Sequence, residues 1–475
     1  MKKVKSALIC SAGIGMLCAG LVGCGGGSAS KIRIGFINPD TGGGETVAWA
    51  SYVTDYLSKA YSDKYQFYVS TFSAFSSTTN STTECKDMLA KGCKAIVEIG
   101  YGTEANFTAC KEKGAYYCAV GSSPNNKTKL TSAEWGSIND HFVGVLGPSL
   151  DQEAQAGYDM ADHYIKQGLK DFGIYGCVIG YAQSYGVTVH AWRVAGMLKR
   201  MLEDAPDSTT QYCAFDNGSG KQVGFTKNST IDEMEGIIAG RSNFYGVDAN
   251  GKQWAVGDIC KVGPYRINYW QQNVADTTLN DAEEVYFTTD KAGNNNPDST
   301  FKAQVILGSA SAYGMFAKKG RCVIGSDGKV DLGIAEVESF ADANKAAMQS
   351  GYITYECGKM NSCIGPAFAA VFSALNGRNF GVDAAGKAEL MVGSQGFWNV
   401  GSVSEFEELA TFDAYATHPA YSRALLETMT YKTEAETDPD GKTYPINNIT
   451  KDEFLAKFNA YTYAEVKAAR TAAEA

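Results

Sequence analysis

Short apolar runs alternate with helix-patterned segments along most of this chain, and this alternation restricts the fold more than any other feature. Residues 31–38 (KIRIGFIN) are β-branched and apolar, which is the pattern of a buried central strand. Residues 45–62 then place apolar side chains on one helical face, and the same order repeats as far as residue 120. Strands joined by crossover helices lie parallel in one sheet, so we predict an α/β fold.

The alternation begins again after a polar stretch at residues 121–140. A mature chain of about 450 residues exceeds a single small core, so a second domain of the same kind is expected. The pattern there predicts strands at 142–146, 172–179, 211–215, 304–307, 321–324 and 352–355, and helices at 150–167, 187–202, 338–349 and 361–375. Residues 217–300 are rich in Asn, Gly and Asp and form a less regular elaboration, and the chain after residue 399 is polar and helix-prone.

The first thirty residues have the pattern of a signal peptide. Lys2, Lys3 and Lys5 precede an uncharged run at 7–20, which is too short and too weakly apolar for a permanent membrane span. Residues 21–24 (LVGC) resemble the lipobox of bacterial lipoproteins. This resemblance implies a signal peptide at 1–23, lipidation of Cys24, a flexible tether at 24–30 and an extracytoplasmic protein anchored to the cell membrane. A secretory signal with a chance cysteine is the alternative.

Charge and cysteine usage exclude some classes of partner. The formal charge is −10, which argues against nucleic acid or anionic lipid as a ligand. Ten of the thirteen cysteines follow Cys24, singly and often within apolar runs, where a free cysteine packs as a small hydrophobe. Disulfides such as Cys85–Cys93 or Cys357–Cys363 are possible, and the sequence does not decide whether they form. There is no Cys-x-x-Cys, and the histidines lack ligand spacing, so we predict neither a metal nor a cofactor.

Several segments together resemble the type I periplasmic solute-binding proteins, the sugar-binding group related to ribose- and galactose-binding proteins. The segments are 91–97 (KGCKAIV), 144–157, 193–197 (RVAGM), 323–328 (VIGSDG) and 364–377. The resemblance implies two Rossmann-like lobes with parallel sheets, joined by a hinge of three crossing segments near 144–149, 356–359 and 394–400. Two departures concern the ligand: 121–123 (GSS) replaces the family's Asp-Arg pair, and 308–311 (GSAS) replaces its Asn or Asp.

The lobes follow from these crossings. Lobe 1 is expected to comprise residues 31–145 and 358–395, and lobe 2 residues 146–357, which include the elaboration at 217–300. Residues 396–475 are expected to form the third crossing and a C-terminal helical tail.

Candidate ligand-binding residues lie at the predicted strand ends, where open α/β sheets bind ligands. They are Asn38, Asp40, Trp49, Ser122, Ser123, Tyr185, His190, Arg193, Asp327, Glu356 and Lys359. Asp327 is the central candidate, because a carboxylate at the carboxyl end of a sheet is poorly explained as core and its flanking glycine admits a ligand. Trp49 and His190 have core packing as their alternative, Arg193 a surface ion pair, and Asp40 a helix cap.

The sequence therefore predicts a non-enzymatic, monomeric binding protein that captures a small solute, a sugar in the first instance, and delivers it to an ABC permease. A ligand-sensing receptor and a nucleoside ligand are the alternatives. An exported enzyme is disfavoured, since neither Gly-x-Ser-x-Gly nor His-Glu-x-x-His occurs.

Overall fold

A computed structural model describes residues 31–39, 44–72, 80–99, 104–121, 138–176, 186–210, 212–216, 222–239, 246–247, 259–271, 303–307, 333–338, 340, 342–358, 364–460 and 462–475. The strands are β1 (Ile32–Asn38), β2 (Tyr65–Thr71), β3 (Ala95–Ile99), β4 (Tyr116–Val120), β5 (Phe142–Gly147), β6 (Asp171–Gly176), β7 (Tyr212–Asp216), β8 (Gln222–Phe225), β9 (Gly246–Val247), β10 (Ile259–Val262), β11 (Tyr265–Gln271), β12 (Ala303–Leu307), β13 (Gly333–Glu338), β14 (Ile353–Gly358), β15 (Val392–Ser394), β16 (Trp398–Val400), β17 (Glu436–Thr437) and β18 (Thr443–Tyr444).

The first helix, α1, spans residues 44–60 and contains a π-helical stretch, Tyr52–Leu57. The other helices are α2 (Ser81–Ala90), α3 (Glu104–Glu112), α4 (Leu150–Lys166), α5 (Gly186–Glu203), α6 (Ile231–Ala239), α7 (Asp342–Gln349), α8 (Ile364–Leu375), α9 (Val403–Phe412), α10 (Arg423–Met429), α11 (Lys451–Ala460) and α12 (Tyr463–Glu474). Within the described ranges, no helix combines the length and the apolar composition that a membrane span requires.

The first sheet has the order β2-β1-β3-β4-β5-β15, and its neighbouring strands all pair in parallel. Every residue of β3 and of β5 is buried. This is expected of central parallel strands, whose two faces are both covered by helices. The structure thus confirms the α/β fold with parallel sheets.

Helices cover both faces of this sheet. On one face, α2 and α3 pack Met88 and Phe107 into a cluster with Ile96 and Tyr117. On the other face, α1 and α8 belong to a larger cluster that contains Val53 and Phe368. Helix α8 is buried on all sides from Ile364 to Ala374, because the sheet lies on one side of it and the C-terminal helices on the other.

The second sheet has the order β10-β11-β6-β12-β13-β14-β16. The five central strands are parallel, and the two edge strands pair antiparallel with their neighbours. Helices α4 and α5 cover this sheet and pack very closely against each other. A Cβ atom on Gly157 would lie 1.9 Å from the carbonyl oxygen of Arg193, and one on Gly196 would lie 1.8 Å from that of Ala154. Glycine at these two positions therefore permits the close contact between the helices.

Two parts of the second half differ from the expected pattern. The pattern predicts a helix over residues 338–349, but Glu338 ends β13 and α7 begins only at Asp342. Strand β7 lies in a separate antiparallel sheet, β8-β7-β9, whose other two strands come from the elaborated segment at 217–300. The predicted strand at 321–324 lies outside the described residues.

The C-terminal residues form part of the core around the first sheet. Helices α9 to α12 contribute fully or almost fully buried apolar side chains to the cluster that contains α8, namely Phe406, Leu409, Leu425, Leu426, Phe454, Phe458 and Val466. Arg423 is also buried there. Its guanidinium lies 4.5 Å from the ring centre of Tyr61 and 3.0 Å from a carboxylate oxygen of Asp63, so α10 is held against the turn that follows α1.

Candidate functional site

Between its described elements, the chain passes three times from the carboxyl edge of one sheet to the other sheet, before α9 to α12 return to the first sheet. The first passage runs from β5 to α4, the second from β14 to α8, and the third from β15 to β16. Each begins where a parallel strand ends, so each leaves a sheet at its carboxyl edge.

Each passage also arrives at a carboxyl edge. Helix α4 leads directly into the start of β6, so its own beginning lies at the opposite, carboxyl edge of the second sheet. Phe372, late in α8, stacks at 4.5 Å on Tyr65, the first residue of β2, so α8 begins at the carboxyl edge of the first sheet. Trp398 opens β16 opposite Gly358, the last residue of β14. The carboxyl edges of the two sheets are therefore joined three times.

Hydrogen bonds tie the first and third passages together. The backbone N–H of Gln395 donates to the carbonyl oxygen of Gly147 at 3.2 Å. The hydroxyl of Ser394 donates to Oε1 of Gln152 at 3.1 Å. Gln152 also completes a capping box with Ser149 at the start of α4. The polar contacts of one glutamine thus connect the beginning of α4 to the segment that returns to the second sheet.

The structure places Asn38 and Trp49 near the carboxyl edge of the first sheet. Asn38 is the last residue of β1, and its side chain is fully buried. Trp49 is also buried, within the cluster that α1 and α8 share. Its Nε1 has no hydrogen-bond partner among the described residues. It lines a small cavity with Tyr52, Ile364, Gly365, Asp413, Tyr415, Pro419 and Tyr421. Trp49 is thus packed in the protein core, which is the alternative to ligand binding that was considered for it.

Arg193 and Glu356 are both buried near the second sheet. The Nε of Arg193 donates to Glu153 at 2.6 Å, and each side chain is 1% exposed. Arg193 was weighed against a surface ion pair, and the structure shows instead a buried pair between α4 and α5. Glu356 lies in register with Glu336 of the adjacent strand, and both side chains are buried. The buried ion pair gives Arg193 a structural role, and for both residues contact with a ligand stays a prediction.

Most other candidates lie outside the described residues. These are Asp40, Ser122, Ser123, Tyr185, Asp327 and Lys359, together with the lipidation candidate Cys24. His190 lies in α5, but its side chain is not among those described. No group of three or more His, Cys, Asp or Glu side chains that could hold a metal occurs in the described part of the chain.

Glu98, which the sequence analysis missed, lies one residue before the end of β3. Its carboxylate accepts hydrogen bonds from the hydroxyls of Ser81 and Tyr117, and from Nδ2 of Asn106 at 2.7 Å. Ser81 begins α2 and Asn106 is in the first turn of α3, so Glu98 links two helix starts to the carboxyl edge of the first sheet. A glutamate inside the apolar run AIVEI was the signal in the sequence.

Burial raises the pKa of the Glu98 carboxyl above its ordinary value, although the hydrogen bonds from Ser81, Tyr117 and Asn106 oppose the shift. A raised folded-state pKa means that this group stabilises the fold below its unfolded pKa and that this contribution is lost as pH rises through the folded pKa.

We therefore expect the free energy of unfolding of the wild type, relative to that of Glu98→Gln, to fall as pH rises above about 4.3, by at most about 1.4 kcal/mol per pH unit. Urea unfolding between pH 4 and pH 8 would measure it. Asp87→Asn, at an exposed position of α2, is the control. A wild-type-to-variant difference that did not change with pH would contradict the assignment.

A wider groove of about 730 Å³ lies between α1, residues 416–424 and the hairpin of β17 and β18. Its α1 residues come from the second half of that helix, which is the end away from the carboxyl edge of the sheet. Its lining mixes both charges, with Lys59, Arg423 and Lys442 beside Asp438 and Asp440. This groove is therefore separate from the joined carboxyl edges.

No protein-family model matches the chain, and no curated protein sequence matches it. Solved structures do show similarity. One is an ABC transporter periplasmic solute-binding protein from Actinobacillus succinogenes with bound D-allose, at 10% identity and a TM-score of 0.49, covering 80% of this chain and 100% of that one. A protein described as a LacI transcriptional regulator from Bacteroides fragilis has 8% identity and a TM-score of 0.47, covering 80% and 99%. A solute-binding protein from Bacillus halodurans with bound myo-inositol has 12% identity and a TM-score of 0.46, covering 82% and 99%. At these values the similarity carries no information on the ligand.

Proposed function

We propose that this protein is an exported, lipid-anchored solute-binding protein that captures a small solute between two lobes and delivers it to an ABC permease. The observation that carries the proposal is the triple connection between the carboxyl edges of two parallel sheets. Open α/β sheets bind ligands at that edge. Two such edges joined by three short segments can form one cleft with a hinge.

The hinge provides the physical mechanism. Rotation about a few segment-terminal residues can close the lobes on a solute, which then leaves water and makes its hydrogen bonds inside the cleft. Lobe 1 comprises residues 31–145 and 358–395 in this proposal, and lobe 2 residues 146–357. A sugar is the proposed ligand on the basis of the sequence resemblance at residues 323–328, with Asp327 as the carboxylate that accepts sugar hydroxyls.

We expect a sugar to raise the melting temperature of the purified protein. A ligand at 100 times its Kd stabilises the folded state by about 2.7 kcal/mol, so a thermal-shift screen of sugars and nucleosides can detect it. Asp327→Ala should then weaken the affinity measured by calorimetry by a factor of about 30 to 1000, because charge-assisted hydrogen bonds are lost.

The control is Glu112→Ala, which removes an exposed carboxylate at the end of α3 and should leave the affinity unchanged. A hit among the nucleosides alone would reassign the ligand. A panel without any shift, or chemical turnover of the bound sugar, would contradict the proposal.

The lipid anchor has a separate test. Cys24→Ser should abolish lipidation and release the protein from the membrane fraction of its own host or mislocalise it, because two or more acyl chains on Cys24 supply a stable anchor where one would be marginal. Cys18→Ser, within the same signal peptide, is the matched control and should leave the protein in the membrane fraction. Membrane retention of the Cys24→Ser protein at the wild-type level would rule the anchor out.

A further inference from the structure

Two buried cysteines meet between the helices that cover one face of the first sheet. Cys85 lies in the middle of α2 and Cys110 near the end of α3. Their Sγ atoms are 3.9 Å apart, and both side chains are fully buried. The two sulfurs must approach by about 2 Å to reach the bonded distance of about 2.05 Å.

Of the other three cysteines whose side chains are described, two lie in different surroundings. Cys118 belongs to the cluster on the opposite face of the first sheet, and Cys357 to the core of the second sheet. Cys93 shares the cluster of Cys85 and Cys110. The sulfur–sulfur contact, however, is between Cys85 and Cys110, which favours this pair over the Cys85–Cys93 pair that the sequence left open.

We propose that Cys85 and Cys110 form a disulfide in the exported protein. The inference rests on the proposed function in one respect, the location outside the cytoplasm, where disulfides persist. The bond joins α2 to α3. The first turns of these helices hold Ser81 and Asn106 around Glu98, so the disulfide fixes one side of the candidate cleft.

The bond must form while the chain folds, because the folded interior excludes an oxidant. The hydrogen bond with the Cys85 thiol, together with burial, also raises the pKa of Cys110, which leaves little reactive thiolate in the folded state. In the unfolded chain, one thiolate attacks the disulfide of an exported thiol–disulfide oxidant and forms a mixed disulfide. The second cysteine, as thiolate, displaces the oxidant. The two electrons and, by way of solvent, the two thiol protons end on the oxidant, which leaves as its dithiol.

The test is peptide mass spectrometry on the full-length protein, isolated from its host membranes with acid trapping of thiols. We expect a Cys85–Cys110 linked peptide that disappears on reduction. Reduction should also lower the melting temperature of the wild type by roughly 4–8 °C. It should leave the Cys85→Ser/Cys110→Ser protein unchanged, and Cys118→Ser is the control that should retain both the linked peptide and the shift.

Oxidative refolding in a glutathione buffer tests the disulfide proposal independently of the proposal that the protein is exported. Free thiols at Cys85 and Cys110 after refolding, or a bond from either one to Cys93, would overturn the disulfide wherever the protein resides. Free thiols in host protein that carries lipid on Cys24 would also overturn it, while leaving the export proposal intact. A linked pair after refolding, in protein that its host keeps in the cytoplasm, would overturn the export proposal and the disulfide in the native protein.

Discussion

Replacing Glu153 with alanine is expected to lower the free energy of unfolding by about 3–5 kcal/mol. The carboxylate of Glu153 accepts a 2.6 Å hydrogen bond from Arg193, and both side chains are 1% exposed. The substitution leaves the buried guanidinium without this partner, in a helix interface that Gly157 and Gly196 keep too tight for easy rearrangement. Equilibrium unfolding in urea measures the effect.

An exposed ion pair supplies the matched control. Lys467 and Glu408 have the same N–O distance, 2.6 Å, but are 48% and 57% exposed. Glu408→Ala should therefore cost no more than about 1 kcal/mol. A loss below 1 kcal/mol for Glu153→Ala would show that the pair does not support the α4–α5 interface. A large loss of solute affinity without a loss of stability would instead return Arg193 to the ligand site.

The second large effect is expected at the C-terminus. Phe458 of α11 is fully buried, and its carbonyl oxygen accepts a hydrogen bond from Gln395 at 2.9 Å. Phe458→Ala should cost about 3–5 kcal/mol, since it opens a cavity where α11 meets β15. Removing residues 451–475 also deletes the fully buried Phe454 and Val466. We expect this truncated chain to lose cooperative unfolding, because the lost burial is comparable with the whole stability of a domain.

Asp452→Ala on the same helix is the control, because Asp452 is exposed and should change the stability by less than about 0.5 kcal/mol. Circular dichroism during heating distinguishes the variants. A truncated protein with a wild-type melting curve would show that residues 451–475 are an appended tail and no part of the core.

The sequence alone predicted the secondary structure where apolar residues recur at a regular spacing within one short segment. Strands β1 to β5 and the helices between them follow from apolar runs bounded by glycine and polar residues, and crossover rules then make the sheet parallel. Strand β13 was not predicted from the sequence, because its residues, GIAEVE, include two glutamates. A carboxylate inside a buried strand breaks the apolar pattern that identifies one, and only neighbouring chain segments can make its burial tolerable.

Residue roles depended on contacts between distant segments. Arg193 and Glu153 are forty positions apart, and nothing local distinguishes a buried pair from an exposed one. Glu98 gathers Ser81, Asn106 and Tyr117 from three different elements. The C-terminal segment is polar overall. A few of its apolar residues become part of the core only when α10 to α12 pack around the first sheet. Hydrophobic periodicity thus determined the elements and their class. Which polar groups are buried, and which helices cover the sheet, is a property of long-range packing that only the tertiary structure decided.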